Sequence, residues 1–304
     1  MKLHFTKMHA LGNDFIIIDD RKGQLRNLSD ISKKLCHRRF GIGADQLLLI
    51  CNSKVADFKM RIFNPDGGEA EMCGNGIRCL GKYIWDKREK GQGTRDKKVQ
   101  SKNLAIETLA GIIHLQKVGE EIKVDMGEPI FEAEKIPIRI SCKLQVPSSK
   151  LTDINKSSIV NCQSPIIKNY PLKIKDRTFK ITCVSMGNPH AVIVVKDVNS
   201  VPLSYYGPLI ENHKLFPKRT NVEFIQRLNA TNIKMRVWER GAGETMACGT
   251  GASASGVTAF LLGLTKRKVR VHLPGGSLLI EWSSKDNHVY MTGTATRVFE
   301  GIIQ

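Results

Sequence analysis

No stretch of this 304-residue chain is apolar for long enough to cross a bilayer: the runs at 47–51, 191–195 and 259–262 fall far short of the roughly 20 residues a spanning helix needs. Cysteine is sparse as well, eight in all, with no Cys-x-x-Cys pair, and histidine shows no His-Glu-x-x-His spacing. A disulfide scaffold is thereby excluded, and neither a zinc site nor any other metal is expected. Aromatic residues make up only 6% of the chain, too few to build a base-stacking surface. Acidic residues are also in the minority, 29 against 47 basic ones, which leaves a formal charge of +18. The densest basic run, at 86–98, holds Lys87, Arg88, Lys90, Arg95, Lys97 and Lys98 but is interrupted by Asp86, Glu89 and Asp96. It reads as a solvated surface, so neither nucleic acid nor membrane is expected as a partner. The first residues lack the apolar core and cleavage site of a secretory signal, and a cytoplasmic setting is expected. At 41% hydrophobic and 25% charged, the chain has the composition of an ordinary globular protein.

What the chain does contain is a repeat. G-E-A-E-M-C-G-N-G at 68–76 aligns with G-E-T-M-A-C-G-T-G at 243–251, which sets Cys73 opposite Cys248 at an offset of 175 residues. The same offset brings Arg61, Ile62, Phe63 and Asn64 onto Arg236, Val237, Trp238 and Glu239, and Gly12 and Asn13 onto Gly187 and Asn188. It also sets Gln46 opposite Asn221. Three matches in one ungapped register imply two copies of one domain fold. Two such copies are expected to pack about a pseudo-twofold axis, with equivalent loops facing a cleft between them.

Short β-branched or aromatic runs at 15–19, 47–51, 191–195, 222–225 and 234–238 are bounded by Gly, Asn, Pro or Asp and read as strands. Helices are fewer. From Gly74 onward Ile77, Leu80 and Ile84 share one helical face, whereas 251–264 is small or apolar nearly all round, as a buried helix is. The fold class is therefore α+β: two pseudo-symmetric copies in which strands wrap a central buried helix, with the active site in the cleft. Each cysteine then lies just before a helix.

The first turn of a helix presents unpaired N–H groups and a partial positive charge, which lowers the pKa of a thiol placed there. The N–H groups of Gly74, Asn75, Gly249 and Thr250 are suited to cradle a carboxylate, and glycine lets it approach closely. Two thiols on opposite faces of one carbon are the arrangement for stereoinversion, in which one removes the α-proton and the other returns one. A single buried cysteine would ordinarily be structural, but a pair repeated in register points to chemistry.

M-H-A-L-G-N-D-F at 8–15, F-G-I-G-A-D-Q at 40–46, F-N-P-D-G-G-E-A-E-M-C-G-N-G at 63–76, S-M-G-N-P-H at 185–190 and E-R-G-A-G-E-T-M-A-C-G-T-G-A at 239–252 resemble the diaminopimelate epimerases over nearly the whole chain. The resemblance implies an isomerase without cofactor, pyridoxal phosphate included, that interconverts LL- and meso-2,6-diaminopimelate for lysine and peptidoglycan synthesis. It makes Cys73 and Cys248 the acid/base thiols. It implies that Gly74, Asn75, Gly249 and Thr250 bind the reacting carboxylate, and that Asn13, Gln46, Asn64, Asn188, Asn221, Glu239 and Arg240 bind the distal amino-acid head. His190 and Glu239 would tune the thiols. A homodimer is also implied, as is a discontinuous first copy, 1–125 plus 292–304, enclosing a second at 126–291. The basic stretch at 86–98 and the weakly patterned 143–176 depart from the family's pattern.

The alternative of the same fold is a proline or hydroxyproline racemase, but those enzymes typically carry His where Asn75 stands and need no polar array for a distal head. Relatives that lack the thiol pair are disfavoured by the presence of both Cys73 and Cys248. The G-T-G-A-S-A at 249–254 matches a dinucleotide-binding fingerprint, yet no strand directly precedes it and no acidic residue stands at 271–274, where that motif needs one.

Overall fold

The computed structural model describes residues 2–89, 101–139 and 166–303. Positions 90–98 of the basic run and 143–165 of the weakly patterned segment lie outside the described residues. Two compact units emerge: Met1–Met126 with Gly275–Leu279 and Tyr290–Gln304, and Gly127–Pro274 with Ile280–Val289. Met126, 275–279 and 290–291 thus fall in the first unit rather than in the expected second copy. The reason is local contact. A Cβ on Gly276 would lie 2.7 Å from Leu11, and one on Gly293 would lie 2.5 Å from Leu278, so this short segment is wedged among residues of the first unit.

The first unit runs β1 (Leu3–Ala10), β2 (Asn13–Asp19), α1 (Leu28–Cys36), β3 (Gln46–Cys51), β4 (Phe58–Phe63), β5 (Glu69–Ala70), α2 (Gly74–Glu89), β6 (Asn103–Thr108), β7 (Gly111–Val118) and β8 (Glu121–Asp125). The second runs β9 (Tyr170–Ile174), β10 (Arg177–Ser185), β11 (Pro189–Val194), α3 (Leu203–Glu211), β12 (Asn221–Asn229), β13 (Asn232–Glu239), β14 (Gly243–Thr245), α4 (Gly249–Leu261) and β15 (Lys268–Leu273). The chain ends with β16 (Gly276–Trp282), β17 (Val289–Gly293) and β18 (Thr296–Ile303). In the first unit β17 pairs with β8 and β18 with β1, both antiparallel.

Backbone pairing repeats at the offset found in the sequence. Antiparallel β1–β2, parallel β2–β3, antiparallel β3–β4 and parallel β4–β6 correspond to β10–β11, β11–β12, β12–β13 and β13–β15. For the β2–β3 and β3–β4 pairs the register is the same residue for residue: Phe15 faces Gln46 as His190 faces Asn221, and Leu48 faces Ile62 as Glu223 faces Val237. The β10–β11 pair is one residue out of step with β1–β2, and the β13–β15 connection is ten residues shorter than the β4–β6 one. An ion pair recurs too. Arg61 Nε and Nη2 meet Glu69 at 2.7 and 2.9 Å, and Arg236 Nε and Nη2 meet Glu244 at 2.8 and 3.1 Å, each pair lacing a strand to the short strand that leads to a cysteine.

In each unit the strands surround one helix. α2 packs on β1, β2, β3, β8 and β18, and α4 on β10, β11, β12, β13 and β15. Ile77, Leu80 and Ile84 of α2 are buried, with Lys87 and Arg88 in its last turn where cations favour the helix dipole. α4 is buried from Gly251 to Ala259 and is built of small residues because its neighbours come close: a Cβ on Gly256 would lie 2.8 Å from Ile280.

Candidate active site

Two tight turns position the first polar side chains. Leu11 and Gly12 both have positive φ, 55° and 86°, and link β1 to β2 with the twist a two-residue hairpin requires, which brings Asn13 in at the start of β2. In the second unit a three-residue turn, Met186 to Asn188 with Gly187 at φ 89°, links β10 to β11 and carries Asn188. Each cysteine then closes a loop and opens a helix: Cys73 C=O accepts from Ile77 N–H at 2.9 Å, and Cys248 C=O from Ala252 N–H at 2.9 Å. Cys248 has the extended backbone of an N-cap residue.

In the first unit the Cys73 thiol lies 3.8 Å from Asn13 Oδ1, which also accepts from Asn75 Nδ2 at 3.2 Å. Gly76 N–H points at the Cys73 sulfur, 3.4 Å away. Asn13 Nδ2 donates to Asp45 at 2.8 Å, and Arg38 bridges Asp45 and Asp14. Burial works against ionisation of Asp14, but hydrogen bonds from Arg38 and Lys7 outweigh it and hold the carboxyl far below its ordinary range. Gln46 Nε2 donates to Asn64 Oδ1 at 2.8 Å, while Gln46 Oε1 is buried with no partner among the described residues. That orphaned acceptor suits an ammonium donor from a ligand.

In the second unit Cys248 Sγ lies 3.5 Å from Thr250 Oγ1, which accepts from Asn188 Nδ2 at 3.3 Å. Asn188 Oδ1 meets His190 Nε2 at 2.9 Å, and His190 Nδ1 meets Glu223 Oε1 at 2.6 Å, with both of those side chains fully buried. Asn221 is committed to the backbone: its Nδ2 donates to Pro189 C=O and its Oδ1 accepts from Arg240 N–H. It braces the corner that carries Glu239 and Arg240. Glu239 Oε1 accepts from Thr245 Oγ1 at 2.5 Å, and the exposed Arg240 donates through Nη1 to Lys218 C=O.

The helix starts do not lower both thiols as the sequence leads one to expect. Burial pushes Cys248 well above the ordinary thiol range, and the negative charges of Glu239 and Glu223 push it further. Hydrogen bonds from Thr250 and Gly251 offset only part of this. Desolvation therefore outweighs the dipole of a single helix turn.

The family profile for diaminopimelate epimerase matches residues 5–132 and 182–298. The chain belongs to the diaminopimelate epimerase family. It is 49% identical over 304 residues to the diaminopimelate epimerase of Acetivibrio thermocellus, which covers 98% of each chain, and 49% identical to that of Methanococcus maripaludis strain C5, which covers 99% of each. Among solved structures, a probable proline racemase from Agrobacterium radiobacter superposes with a TM-score of 0.66 at 12% identity, spanning 99% of this chain and 93% of that one. A phenazine biosynthesis protein of the PhzF family from Bacillus anthracis does so at 0.64 and 19% identity, spanning 100% and 99%. At such identities the likeness is one of fold alone, and it agrees with the α+β class.

Sequence reasoning missed Glu223 and Arg78. Both were visible as charges inside otherwise apolar segments, N-V-E-F-I at 221–225 and I-R-C-L at 77–80, and the offset sets them against Leu48 and Ser253.

Proposed function

We propose that this protein is a diaminopimelate epimerase that interconverts LL- and meso-2,6-diaminopimelate, with Cys73 and Cys248 as the two acid/base groups. Identity of 49% along nearly the full length carries this reading. The reacting carboxylate binds to the N–H groups at Gly74, Asn75, Gly249 and Thr250. One thiolate then takes the α-proton, and the other thiol delivers a proton to the opposite face. The C–H bond electrons pass into the carboxylate as an enediolate and return to form the new C–H bond. The α-proton is so weakly acidic that positioning and aligned N–H donors must supply most of the acceleration.

The distal head meets Asn13, Gln46, Asn64, Asn188, Asn221, Glu239 and Arg240, with the unpaired Gln46 Oε1 as one acceptor for its ammonium. His190 and Glu239 set the proton affinity of Cys248, Glu239 through its own charge and His190 through its bond to Glu223, whose charge also bears on that sulfur. All six described cysteines are free thiols, in keeping with a reducing cytoplasmic setting in lysine and peptidoglycan synthesis. Exposed Val298, Phe299 and Ile302 on β18 support a homodimer, because a strand with several exposed apolar side chains is ordinarily covered.

The test is proton NMR of LL-diaminopimelate with the reduced protein in D2O. Loss of the α-proton signal together with appearance of the meso isomer, abolished in Cys73→Ala and in Cys248→Ala, is the expected result. A folded, reduced protein that exchanges no α-proton would overturn it.

A further inference from the structure

One turn into α2 stands Arg78, whose side chain has no solvent exposure at all. Every hydrogen bond it makes goes to a neutral group. Nη1 donates to Gly74 C=O at 3.0 Å and touches the Met291 sulfur at 3.5 Å, Nη2 donates to Asn75 Oδ1 at 2.8 Å, and Nε donates to Thr294 C=O at 3.3 Å. Among the described residues no Asp or Glu pairs with it. A guanidinium keeps its proton in proteins, and a buried charge without an opposite charge is costly. Burial pulls Arg78 down to about 10, still protonated at neutral pH.

The fold does not require this charge. At the matching position of α4, Ser253 Oγ donates to Gly249 C=O at 3.0 Å, so a hydroxyl does the work of bonding the helix's first carbonyl. Among the described residues, the ionisable groups whose charge bears on Arg78 are two thiols of its own segment, Cys79 and Cys73. Cys79 is fully buried, and desolvation pushes its thiol far up, so it stays neutral. Asp14 and Asp45, which flank Asn13 from β2 and from the turn before β3, are engaged by Arg38, and Asp14 also by Lys7. Cys73 is the group left to balance the charge. It is linked to Arg78 through Asn75 and Asn13, whose Oδ1 accepts from the protonated Cys73 thiol; ionisation gives up that long contact and keeps the Gly76 N–H, which donates to the sulfur.

Behind the other thiol the chemistry is reversed. Where the first unit has Phe15 and Leu48 against Gly76, at 3.3 Å each from a Cβ built there, the second has His190 and Glu223, with Glu223 Oε1 2.8 Å from a Cβ built on Gly251. The charges that bear on Cys248 are those of Glu239 and Glu223.

We propose that Arg78 supplies the counter-charge to a Cys73 thiolate, so that the substrate-free protein carries its ionised sulfur at Cys73 and its proton at Cys248. Arg78 is a positioning residue, acting on the sulfur without touching the substrate. The consequence for turnover rests on the epimerase reading: the resting protein is set to act first on the stereoisomer that presents its α-hydrogen to Cys73. In that half-reaction the C–H bond breaks as the Cys73 S–H bond forms, the Cys248 S–H bond breaks as the new C–H bond forms, and the negative charge ends on Cys248.

The experiment uses no substrate, so it stands whether or not the epimerase reading does. The reduced protein is alkylated with iodoacetamide across pH 5 to 10, and each cysteine is followed by peptide mass spectrometry, comparing the pH of half-maximal rate. Cys73 is expected to reach its plateau at lower pH than Cys248. Arg78→Met is expected to cut Cys73 alkylation at pH 7, relative to its own high-pH plateau, by about tenfold or more, which is one unit in the thiolate titration. Cys248 should be unmoved, and Arg78→Lys should keep most of the effect. A Cys73 profile unchanged by Arg78→Met overturns the proposal. If that variant does not fold, a Cys73 that titrates above Cys248 in the unsubstituted protein overturns it equally.

Discussion

Replacing His190 by Phe and Glu223 by Leu converts the surroundings of Cys248 into the packing that the first unit already uses at Phe15 and Leu48, in the same strand register. The energetics of the single and double changes should differ sharply. His190 and Glu223 are fully buried and 2.6 Å apart, and Glu223 Oε2 has no partner among the described residues. His190→Phe alone strands a buried carboxyl and should cost about 3–5 kcal/mol. Glu223→Leu alone leaves an unpaired imidazole nitrogen and should cost about 1–3 kcal/mol. The double variant removes both polar groups and should fall within about 1 kcal/mol of the parent, because well-packed apolar residues often replace a buried pair at no loss. For a unit of this size each kcal/mol moves the midpoint by roughly 2–4 °C, so His190→Phe should melt roughly 6–20 °C lower and the double variant close to the parent. Thermal unfolding of the four proteins, completed as a double-mutant cycle, checks this. Melting losses that simply add would refute the claim that the fold has no need of the pair. Epimerisation should be lost in the double variant even though stability returns.

The recurring ion pairs give an internal comparison. Arg61→Ala should cost about 0.5 kcal/mol, as partly exposed pairs do, whereas Arg236→Ala should cost about 1–2 kcal/mol more, because Arg236 Nη1 also donates to the Val198 and Val201 carbonyls at 2.9 Å each. Urea titrations of the two variants decide it, and equal losses would count against the backbone contribution. Stability should also decline at alkaline pH. The thiols of Cys79, Cys183 and Cys248 are raised in the folded state, so the unfolded chain ionises first, and their contribution, complete below the ordinary value of 9.0, erodes as pH rises above it. Cys79→Ala with Cys183→Ala should flatten that decline in melts run from pH 8 to 10.5. Finally, Gly251→Ala should reduce kcat far more than Gly76→Ala, since the added methyl meets Glu223 Oε1 at 2.8 Å in one case and movable side-chain carbons at 3.3 Å in the other. Comparable activity in both variants would speak against a close fit around Cys248.

The repeat was legible because the residues that build the turns and helix starts are chemically constrained. Gly12 and Gly187 hold positive φ, Arg61 and Arg236 each need their Glu, and both cysteines must precede a glycine that opens a helix. Of the five strands read from the sequence, β2, β3, β11 and β12 hold consecutive residues buried on both faces, so hydrophobicity alone marks them, whereas β13 alternates buried Ile233, Met235 and Val237 with partly exposed neighbours. β7 was not readable: in G-I-I-H-L-Q-K-V only Leu115 is buried, and the strand exists through its pairing with β6 and β8. Arg78 and Glu223 were hidden for the opposite reason, since a charge in a sequence reads as surface while these two have no solvent exposure. The ionisation of Cys248 could not be read either. A helix start can be inferred from one segment, but the burial that overrides it depends on how five strands close around α4, and the charges that add to it stand on β12 and β13.

The shared register makes the two units a record of what a single backbone can tolerate. Positions 61 and 236, or 69 and 244, kept the same residue, while 15 and 190, or 48 and 223, moved from hydrocarbon to ionisable group without shifting one hydrogen bond of the ladder. Divergence was therefore spent on side chains at fixed stations, and a chimera that transplants such stations from one half to the other has a scaffold already proven, within the same molecule, to accept them.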